Sequence, residues 1–369
     1  MLLKKWSDIL TIVNGKNQKD VVSPDGQYPI YGSGGVIGYA TSYLCEAGTT
    51  IIGRKGTINN PIFVDKKFWN VDTAFGISPG KELIPKFLYY FCCSFNFTEL
   101  DKSTTIPSLA KRDLLQIKMP VPSIEEQERI VSKIEELFSR LDASVAELQT
   151  AKEKLKIYRQ TVLYKAFQNL TDTITMDEVA DMIDPQPSHR TPPEVSNGVP
   201  YVGVGDIDYS ARKINFAEAR KVSSSVLQEH QERYTIHKGD FIMGKIGTIG
   251  KPFMVPLPQN YTLSANVILI QPNYTKILPE FLYWQFSAPL VTQQLTVGAA
   301  ATSQPAFGIK KARLLSIRIC DIEQQRQITN EIEKSLSVCD SIEQTIDISL
   351  HQAEALRQSI LKRAFEGEL

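Results

Sequence analysis

The sequence predicts an α+β fold made of two copies of one unit. Each copy is a mixed α/β domain followed by a long helix, and the two helices form an antiparallel coiled coil. Three observations predict this fold: a repeat along the 369 residues, two long stretches with coiled-coil periodicity, and short strand-like runs ahead of each stretch. Self-similarity of this kind indicates an internally duplicated protein.

The repeat is clearest in two nine-residue phrases, "RQTVLYKAF" at 159–167 and "RQSILKRAF" at 357–365. Their offset of 198 positions holds backwards without a gap to Ile124 and Ile322. Further upstream the offset changes, as expected where loops differ in length. The matching segments there are "LIPKFLYYF" (83–91) with "ILPEFLYWQ" (277–285), "RKGTI" (54–58) with "KIGTI" (245–249), and "YGSGG" (31–35) with "YVGVG" (201–205).

The two long stretches carry apolar residues mostly at steps of three and four, with one gap in the first stretch, which is the pattern of a coiled-coil seam. The seam positions are Ile130, Ile134, Leu137, Leu141, Val145, Leu148, Leu155, Tyr158 and Val162, then Ile328, Ile332, Cys339, Ile342, Ile346, Leu350, Ala353, Leu356 and Ile360. Neither proline nor glycine occurs within 124–167 or 322–365. Each stretch is therefore predicted to form one helix, about 60 Å long.

An amphipathic helix needs a partner for its apolar stripe, and a homodimeric coiled coil would supply one. Because both helices lie in one chain, each behind a globular domain, the repeat favours antiparallel pairing within the chain, with the two domains at opposite ends. The residues assigned to the coiled-coil and partner surface are Gln127, Ile130, Ile134, Leu141, Leu148, Gln325, Ile328, Ile332, Ile346 and Ile360.

The predicted domains span residues 1–122, 123–170, 171–320 and 321–369, of which the second and fourth are helical. In the first and third, β-branched and aromatic runs such as "TTIIG" and "DFIMG" alternate with Gly, Pro and Asn turns and predict strands. Pro85 and Pro279 each begin an aromatic-rich stretch, which predicts a short helix in each globular domain.

The composition is that of an ordinary soluble protein, with 42% hydrophobic and 22% charged residues. No apolar run reaches the length of a membrane span, and "MLLKKW" lacks the apolar core of a signal peptide. The 5 cysteines form no C-x-x-C motif, so neither a disulfide framework nor a zinc site is indicated. A reducing cytoplasm is the expected compartment.

The formal net charge is zero, but the charge is unevenly distributed. Residues 1–123 carry 14 Lys plus Arg against 10 Asp plus Glu, a net of +4, whereas residues 322–369 carry 5 against 9, a net of −4. One globular domain is thus mildly basic, and the acidic excess lies on a helix. This distribution allows a DNA-facing surface without requiring one.

Several catalytic motifs are incomplete. "GDFIMGKI" (239–246) has the glycines and lysine of a phosphate-binding loop, but Ile246 replaces the Ser or Thr that holds magnesium. "NPIF" (60–63) has Ile62 where the N-P-P-[YF] element of amino-methyltransferases has its second proline. The histidines include no pair at metal-ligand spacing, and no Ser or Cys lies in a nucleophile motif. The sequence therefore predicts a non-catalytic chain without a metal site.

Three segments have the form of a known family: "PVPSIEEQERIVSKIEEL" (120–137), "ICDIEQQRQITNEIEKSL" (319–336) and "RQSILKRAFEGEL" (357–369). Through them the whole chain resembles the specificity subunit of type I restriction-modification enzymes. One departure from the family pattern is Cys320 and Asp321, which replace the usual proline-rich lead into the second helix.

The resemblance implies that the globular domains are two target-recognition domains that read the halves of a bipartite DNA site, spaced by the coiled coil. The implied partners are double-stranded DNA, two methyltransferase (modification) subunits and restriction/translocase subunits. S-adenosylmethionine is expected on the methyltransferase subunit, and no cofactor on this chain. Such a chain is the recognition part of a multisubunit adenine methyltransferase/endonuclease and not itself an enzyme.

Loops at equivalent positions of the two domains are the candidate DNA-binding elements. Glycine lets a backbone approach a phosphate, while Ser, Thr, Lys and Arg bind phosphates or base edges. The candidates in the first domain are Tyr31, Gly32, Ser33, Arg54, Lys55, Thr57, Thr104, Thr105 and Lys111. Those in the second are His189, Arg190, Gly203, Gly205, Lys245, Thr248, Ser303, Gln304 and Lys310.

Two of these candidates, His189 and Arg190, come from the segment at 184–200, which is polar and proline-rich in the second domain only and is predicted to form a loop. The other reading of the shared loops is that they serve the common fold, and that specificity lies where the two domains differ.

Two other functions stay open. A self-sufficient methyltransferase or nucleotide-driven enzyme would need a cofactor pocket that the incomplete motifs do not supply, and cofactor binding by the isolated chain would support it. A coiled-coil scaffold without DNA recognition is favoured by the zero net charge. The absence of a sequence-selective footprint would support that second reading.

Overall fold

A computed structural model describes residues 2–299 and 306–369 of the chain. The chain divides into two compact units, one formed by residues 2–150 with 346–369 and the other by residues 151–345. Each unit contains one globular head and a segment of both long helices.

The elements from the first head to the end of the first long helix are β1 (Leu3–Lys5), α1 (Trp6–Ile9), β2 (Leu10–Asn14), β3 (Tyr28–Gly32), β4 (Gly35–Ala40), β5 (Thr49–Gly53), β6 (Ile62–Val64), β7 (Trp69–Asn70), β8 (Ala74–Pro79), α2 (Pro85–Ser94), a 3₁₀ turn (Phe97–Leu100), α3 (Lys111–Leu114), β9 (Lys118–Pro120) and α4 (Ile124–Gln168). The short helix predicted at Pro85 is α2, where proline occupies the first turn because that turn needs no backbone N–H donor.

The second head and second long helix consist of β10 (Thr173–Thr175), α5 (Met176–Val179), β11 (Ala180–Ile183), β12 (Val199–Val202), a 3₁₀ turn (Val204–Asp206), β13 (Ile207–Asp208), β14 (Lys213–Ile214), β15 (Lys221–Val222), α6 (Ser224–Gln231), β16 (Phe241–Gly244), β17 (Pro252–Met254), β18 (Thr262–Leu263), β19 (Val267–Pro272), α7 (Pro279–Phe286), α8 (Pro289–Ala299), α9 (Ile309–Arg313), β20 (Ser316–Arg318) and α10 (Ile322–Glu366). The predicted loop before β12 is irregular as far as Gly198.

The two heads share one sheet topology. The first has a four-stranded sheet in the order β2-β8-β5-β6, and the second repeats it as β11-β19-β16-β17. Each also has a three-stranded sheet with one antiparallel and one parallel pair, β4-β3-β7 and β15-β12-β18. A two-stranded sheet joins the first strand of each head to the strand before its long helix, as β1-β9 and β10-β20. The predicted duplication is confirmed in the topology of the sheets.

In the first unit, parts of both long helices complete the core of the head. Trp6 and Phe87 are fully buried, and Ile130 and Ile134 from α4 pack into the same cluster. The C-terminal end of α10 joins from another direction, since the Phe365 ring lies 5.1 Å from that of Phe87. The head is therefore contacted by the start of one long helix and the end of the other.

The second unit repeats this arrangement with the helices exchanged. Ile332 near the start of α10 and Phe167 at the end of α4 belong to the core cluster of the second head. The ring of Phe167 lies 5.4 Å from that of Phe281 in α7. Phe167 and Phe365 are the last residues of the two matching nine-residue phrases, so the phrases recur in part because each packs a helix end onto a head.

The long helices run antiparallel in each unit. In the first, Arg357 pairs with Asp142, and Arg129 donates to the backbone oxygen of Leu369 at 3.1 Å, so residue numbers rise on one helix as they fall on the other. In the second, Arg159 pairs with Asp340 at 2.7 Å. The antiparallel pairing predicted from the repeat is confirmed.

Three of the predicted seam positions are wrong. Tyr158, Ile342 and Leu356 have exposed side chains, with 53%, 45% and 51% of their surface accessible. A strict seam drifts around a straight helix, since 3.6 residues per turn do not match a repeat of 3.5. The other assigned positions from Ile130 to Ile360 are buried or partly buried.

The second helix begins at Ile322 even though the usual proline-rich lead is absent. The Asp321 carboxylate accepts a hydrogen bond from the Gln324 N–H at 2.9 Å, and Ser123 accepts one from the Glu126 N–H at 3.3 Å in the first helix. A side chain that accepts from the first turn is an N-cap, so both helices start in the same way. Within the described residues, no helix combines the length and apolar character that a membrane span requires.

Candidate nucleic-acid interface

A glycine turn recurs at the end of one central strand in each head, at 53–57 and 244–248. Gly56 has φ +81° and Gly247 has φ +80°, in the left-handed region that favours glycine. A Cβ atom on Gly53 would lie 2.0 Å from the Thr57 carbonyl oxygen, so the turn cannot close around a larger residue. These glycines are shared because the fold requires them.

In the first head this turn presents cationic and hydroxyl side chains to solvent. Arg54, Lys55 and Thr57 are exposed. The turn is bonded to the loop that follows α2, because the Gly56 N–H donates to the Pro107 oxygen and the Leu109 N–H donates to the Arg54 oxygen, both at 2.9 Å. Two candidate segments that are distant in the sequence therefore adjoin in the structure.

The second of these loops is tied at its base by Asp101. Its carboxylate accepts hydrogen bonds from the N–H groups of Ser103 and Ser108, both at 3.0 Å, and from the Ser103 hydroxyl. These bonds stabilise the ionised form and lower the pKa of Asp101. Thr104 and Thr105 lie exposed between the two tied positions. The loop thus presents two hydroxyl groups next to the cations of the glycine turn.

Of the remaining candidates of the first head, Ser33 lies near the glycine turn, whereas Tyr31, Gly32 and Lys111 have contacts inside the head. Ser33 lies beside the turn, since a Cβ on Gly56 would come within 3.9 Å of its hydroxyl oxygen. Tyr31 packs its ring against Phe68 at 5.4 Å, and Gly32 is buried. The Lys111 ammonium donates to the Ile12 carbonyl oxygen at 2.7 Å. Its charge therefore holds the backbone of β2.

The second head uses the equivalent turn differently. Lys245, which matches Arg54, is 8% exposed and pairs with Asp184 at 2.8 Å. Its backbone oxygen accepts from the Phe307 N–H at 2.8 Å, as the Arg54 oxygen accepts from Leu109. Lys245, a predicted contact residue, therefore forms an ion pair inside the head. Thr248 and Lys310 are exposed. Ser303 and Gln304 lie outside the described residues.

The two candidate glycines of "YVGVG" (201–205) differ in their exposure to solvent. Gly203 is buried, and its N–H donates to the Asp206 carboxylate at 2.7 Å. A Cβ there would lie 2.7 Å from the Asn266 side-chain oxygen. Gly205 is exposed with open space around it. Only Gly205 of the two is placed where a backbone could approach a phosphate.

The proline-rich loop between β11 and β12 of the second head carries two exposed candidates, His189 and Arg190. His189 has φ +53°, and its N–H donates to the Gln186 oxygen at 3.0 Å, which closes a tight turn. Gln186 itself is 8% exposed and bonds His230, a fully buried residue of α6. Asp184, Gln186 and His230 were missed in the sequence because nothing along the chain connects positions 44 residues apart.

The two long-helix glutamines assigned to the partner surface are fully buried. Each bonds backbone groups of its own unit, Gln127 at the start of α2 and Gln325 at the start of α7. Each glutamine therefore joins the start of a long helix to the short helix of a head.

The exposed candidate side chains of the two heads are those of Lys, Arg, His and Thr, namely Arg54, Lys55, Thr57, Thr104, Thr105, His189, Arg190, Thr248 and Lys310, and such groups bind phosphate oxygens and base edges. Among the described residues, no group of three or more His, Cys, Asp or Glu side chains is arranged to hold a metal ion.

Comparisons with known proteins identify relatives of this chain. The chain is 24% identical over 349 residues to the type I restriction enzyme EcoBI specificity subunit of Escherichia coli, covering 86% of this chain and 73% of that protein. It is 21% identical over 395 residues to the EcoDI specificity subunit of Escherichia coli, covering 98% and 87%.

Among solved structures, one from a study of complex assembly and conformational transition of the type I R-M system superposes with a TM-score of 0.76, covering 100% of this chain and 98% of that one at 17% identity. The HsdS subunit from Thermoanaerobacter tengcongensis gives 0.59, covering 100% and 97%, also at 17% identity. These similarities show the fold.

The family model described as type I restriction modification DNA specificity domain matches residues 3–153 and again residues 172–352. The two matches begin at the same place in each copy of the duplicated unit. The chain belongs to the type I restriction modification DNA specificity family.

Proposed function

We propose that this chain is the non-catalytic DNA-recognition subunit of a type I restriction-modification complex, and that each head reads one half of a bipartite site. The observation that carries the proposal is the duplication itself. Two heads of one topology each present exposed cationic and hydroxyl side chains on loops beside a central sheet, in a family named for DNA specificity.

The reading of two half-sites follows from what differs between the heads. Both keep the glycine turn, but Arg54 is exposed in the first and its counterpart Lys245 is internally paired in the second. The second head carries His189 and Arg190 on the proline-rich loop between β11 and β12, where the first head has residues 15–27 between β2 and β3. Shared residues build the scaffold and the different ones face DNA, so the two heads read different sequences.

The long helices set the spacing between the half-sites. Each head is packed onto the start of one helix and the end of the other, so both helices contribute to both units. Rigid elements fix the positions of binding loops better than flexible linkers do. A change in helix length would therefore change the spacer and leave the half-sites unaltered.

Two methyltransferase subunits are the proposed protein partners, with restriction subunits joining them. Support comes from a cleft that each unit repeats at the junction of its aromatic helix and a long helix, about 600 Å³ in the first and 510 Å³ in the second. Tyr89, Tyr90 and Glu135 line the first cleft, and the matching residues line the second, namely Tyr283, Trp284 and Glu333. S-adenosylmethionine would be bound by the methyltransferase, and the complex would act in the cytoplasm.

The proposal is tested with the purified methyltransferase complex assembled with and without this chain. With the chain, DNA binding should protect a defined site and weaken steeply with salt, because cations on the heads displace counterions from phosphates. Protection without sequence preference would favour the scaffold function. Binding of S-adenosylmethionine by this chain alone would favour a self-sufficient enzyme.

A further inference from the structure

We infer that His230 is a positioning residue for the DNA-contacting turn at 188–190, acting through Gln186; the inference rests on the proposed function. His230 is fully buried in α6 and lies beneath the proline-rich loop between β11 and β12 of the second head. It does not reach the surface itself. Its effect on recognition would pass through the hydrogen bonds that connect it to the turn.

The bonds from Gln186 to the turn fix the orientation of its side-chain amide. The Gln186 nitrogen donates to the Arg190 backbone oxygen at 3.1 Å and to the Ser188 hydroxyl at 2.8 Å. A backbone oxygen only accepts, so the amide nitrogen must face the turn. The amide oxygen then faces His230 and accepts a hydrogen bond from its Nε2.

This orientation selects one tautomer of His230. If Nε2 carries the proton, Nδ1 of a neutral ring is an acceptor, and the Thr262 hydroxyl lies 2.5 Å from it. Thr262 in turn accepts from the Tyr234 hydroxyl at 3.1 Å, and that hydroxyl accepts from the Leu263 N–H at 3.2 Å. One directed chain of hydrogen bonds therefore leads from β18 through His230 to the turn.

A second, independent anchor holds the start of the loop. Asp184 pairs with the buried Lys245, and its other carboxylate oxygen accepts from the Gln186 N–H at 3.2 Å. Between these anchors and the exposed side chains lies only the turn itself. The left-handed backbone of His189 is therefore held in place by buried groups on both sides, and Arg190 leaves the turn toward solvent.

This arrangement explains why a residue that touches no DNA would affect sequence reading. Base recognition depends on side chains held in one geometry, and a loop that loses its internal bonds samples several. Loss of the bond from His230 to Gln186 would free the amide of Gln186, and with it the turn that carries His189 and Arg190. Discrimination would fall in one half of the DNA site only.

Two variants separate positioning from simple packing. The side-chain amide of Gln is attached at the δ carbon and reaches as far as Nε2, so His230→Gln keeps a donor for Gln186. The amide of Asn is attached at the γ carbon and reaches only as far as Nδ1, so His230→Asn keeps a partner for Thr262 and loses the bond to Gln186. Both replace a buried ring by a smaller amide, so their effects on stability should be similar.

The test measures methylation rates by the assembled methyltransferase complex on duplexes carrying the cognate site or single-base changes in either half. We expect His230→Asn to lose discrimination about tenfold in one half and none in the other, and His230→Gln to keep it. Unchanged discrimination in His230→Asn, or equal losses in both variants, would overturn the inference. If the unaltered complex shows no preference in either half, the proposed function fails instead.

Discussion

Gln127 accepts a hydrogen bond from the Ile84 N–H at 2.9 Å, which joins the start of the first long helix to the start of the aromatic helix of the first head. Its amide nitrogen donates to the Glu82 and Pro122 backbone oxygens at 2.7 and 3.0 Å. Gln325 makes the same set of bonds in the second unit, to Leu278, Lys276 and Cys320. A buried side chain that satisfies three partly buried backbone groups links the helix to the head.

Replacing this link should destabilise the first unit. Gln127→Ala leaves three backbone groups unpaired, and we expect the free energy of unfolding to fall by about 3 kcal/mol. Urea unfolding of the purified chain measures the change. The matched control is Gln149→Ala, an exposed glutamine of the same helix, for which we expect a change of about 0.5 kcal/mol or less. Equal effects of the two substitutions would show that the buried bonds contribute nothing.

The ion pair between Arg357 and Asp142 should contribute little. Their side chains are 28% and 62% exposed, and water screens a pair at that exposure. The Arg357 guanidinium also lies 4.5 Å from the centre of the Phe138 ring. A methionine side chain at position 357 can keep part of this packing contact. A double-mutant cycle with Arg357→Met and Asp142→Asn should give a coupling free energy below about 1 kcal/mol. A coupling of several kcal/mol would show that the helix pair depends on this charge pair.

Acid should destabilise the second unit through His230. Burial, and then the nearby Arg233, lower the pKa of His230 from its ordinary value of 6.5, while Glu229 acts in the opposite direction. The unfolded chain therefore binds a proton before the folded one does. This contribution to stability is complete above pH 6.5 and is lost as the pH falls from there toward the folded pKa. Thermal unfolding between pH 7.5 and 5.5 should show a smaller loss for His230→Gln than for the unaltered chain.

Lys55 should contribute to DNA binding through phosphate. It is exposed on the glycine turn at the end of β5 and bridges Ser108 in the loop that carries Thr104 and Thr105. We expect Lys55→Gln to reduce the slope of log affinity against log salt by about 0.9, the value for one phosphate contact. Lys66→Gln is the control, because the antiparallel register of β5 and β6 places Lys66 at the opposite end of the sheet. Equal slopes for the two variants would remove Lys55 from the interface.

The architecture could be predicted from the sequence because duplication is visible without structure. Matching phrases at one offset predicted two copies of a head followed by a long helix, and the absence of proline and glycine predicted both helices within one residue of their observed ends. The predicted seam was wrong at Tyr158. This residue fits the coiled-coil periodicity of the sequence, but its side chain faces solvent in the structure.

Fewer features of the candidate site than of the fold could be predicted from the sequence. Arg54 and Lys245 occupy equivalent positions of matching motifs, so the sequence does not distinguish them. In the structure Arg54 is exposed, whereas Lys245 is buried against Asp184, which lies far away in the sequence. His230 and Gln186 share no motif, because their contact is created by packing α6 under a loop. Such contacts depend on which distant segments pack together, and the periodicity of a sequence does not contain that information.

The central claim is that each head reads one half of a split DNA site, and the most direct test is to map methylated adenines in cells. Cells with this chain and its methyltransferase subunit would be compared with cells lacking only this chain, and with cells carrying Arg190→Ala. We predict methylation at a two-part motif with a fixed spacer, lost without the chain and relaxed in one half by Arg190→Ala. Methylation that persists unchanged without the chain would contradict the account.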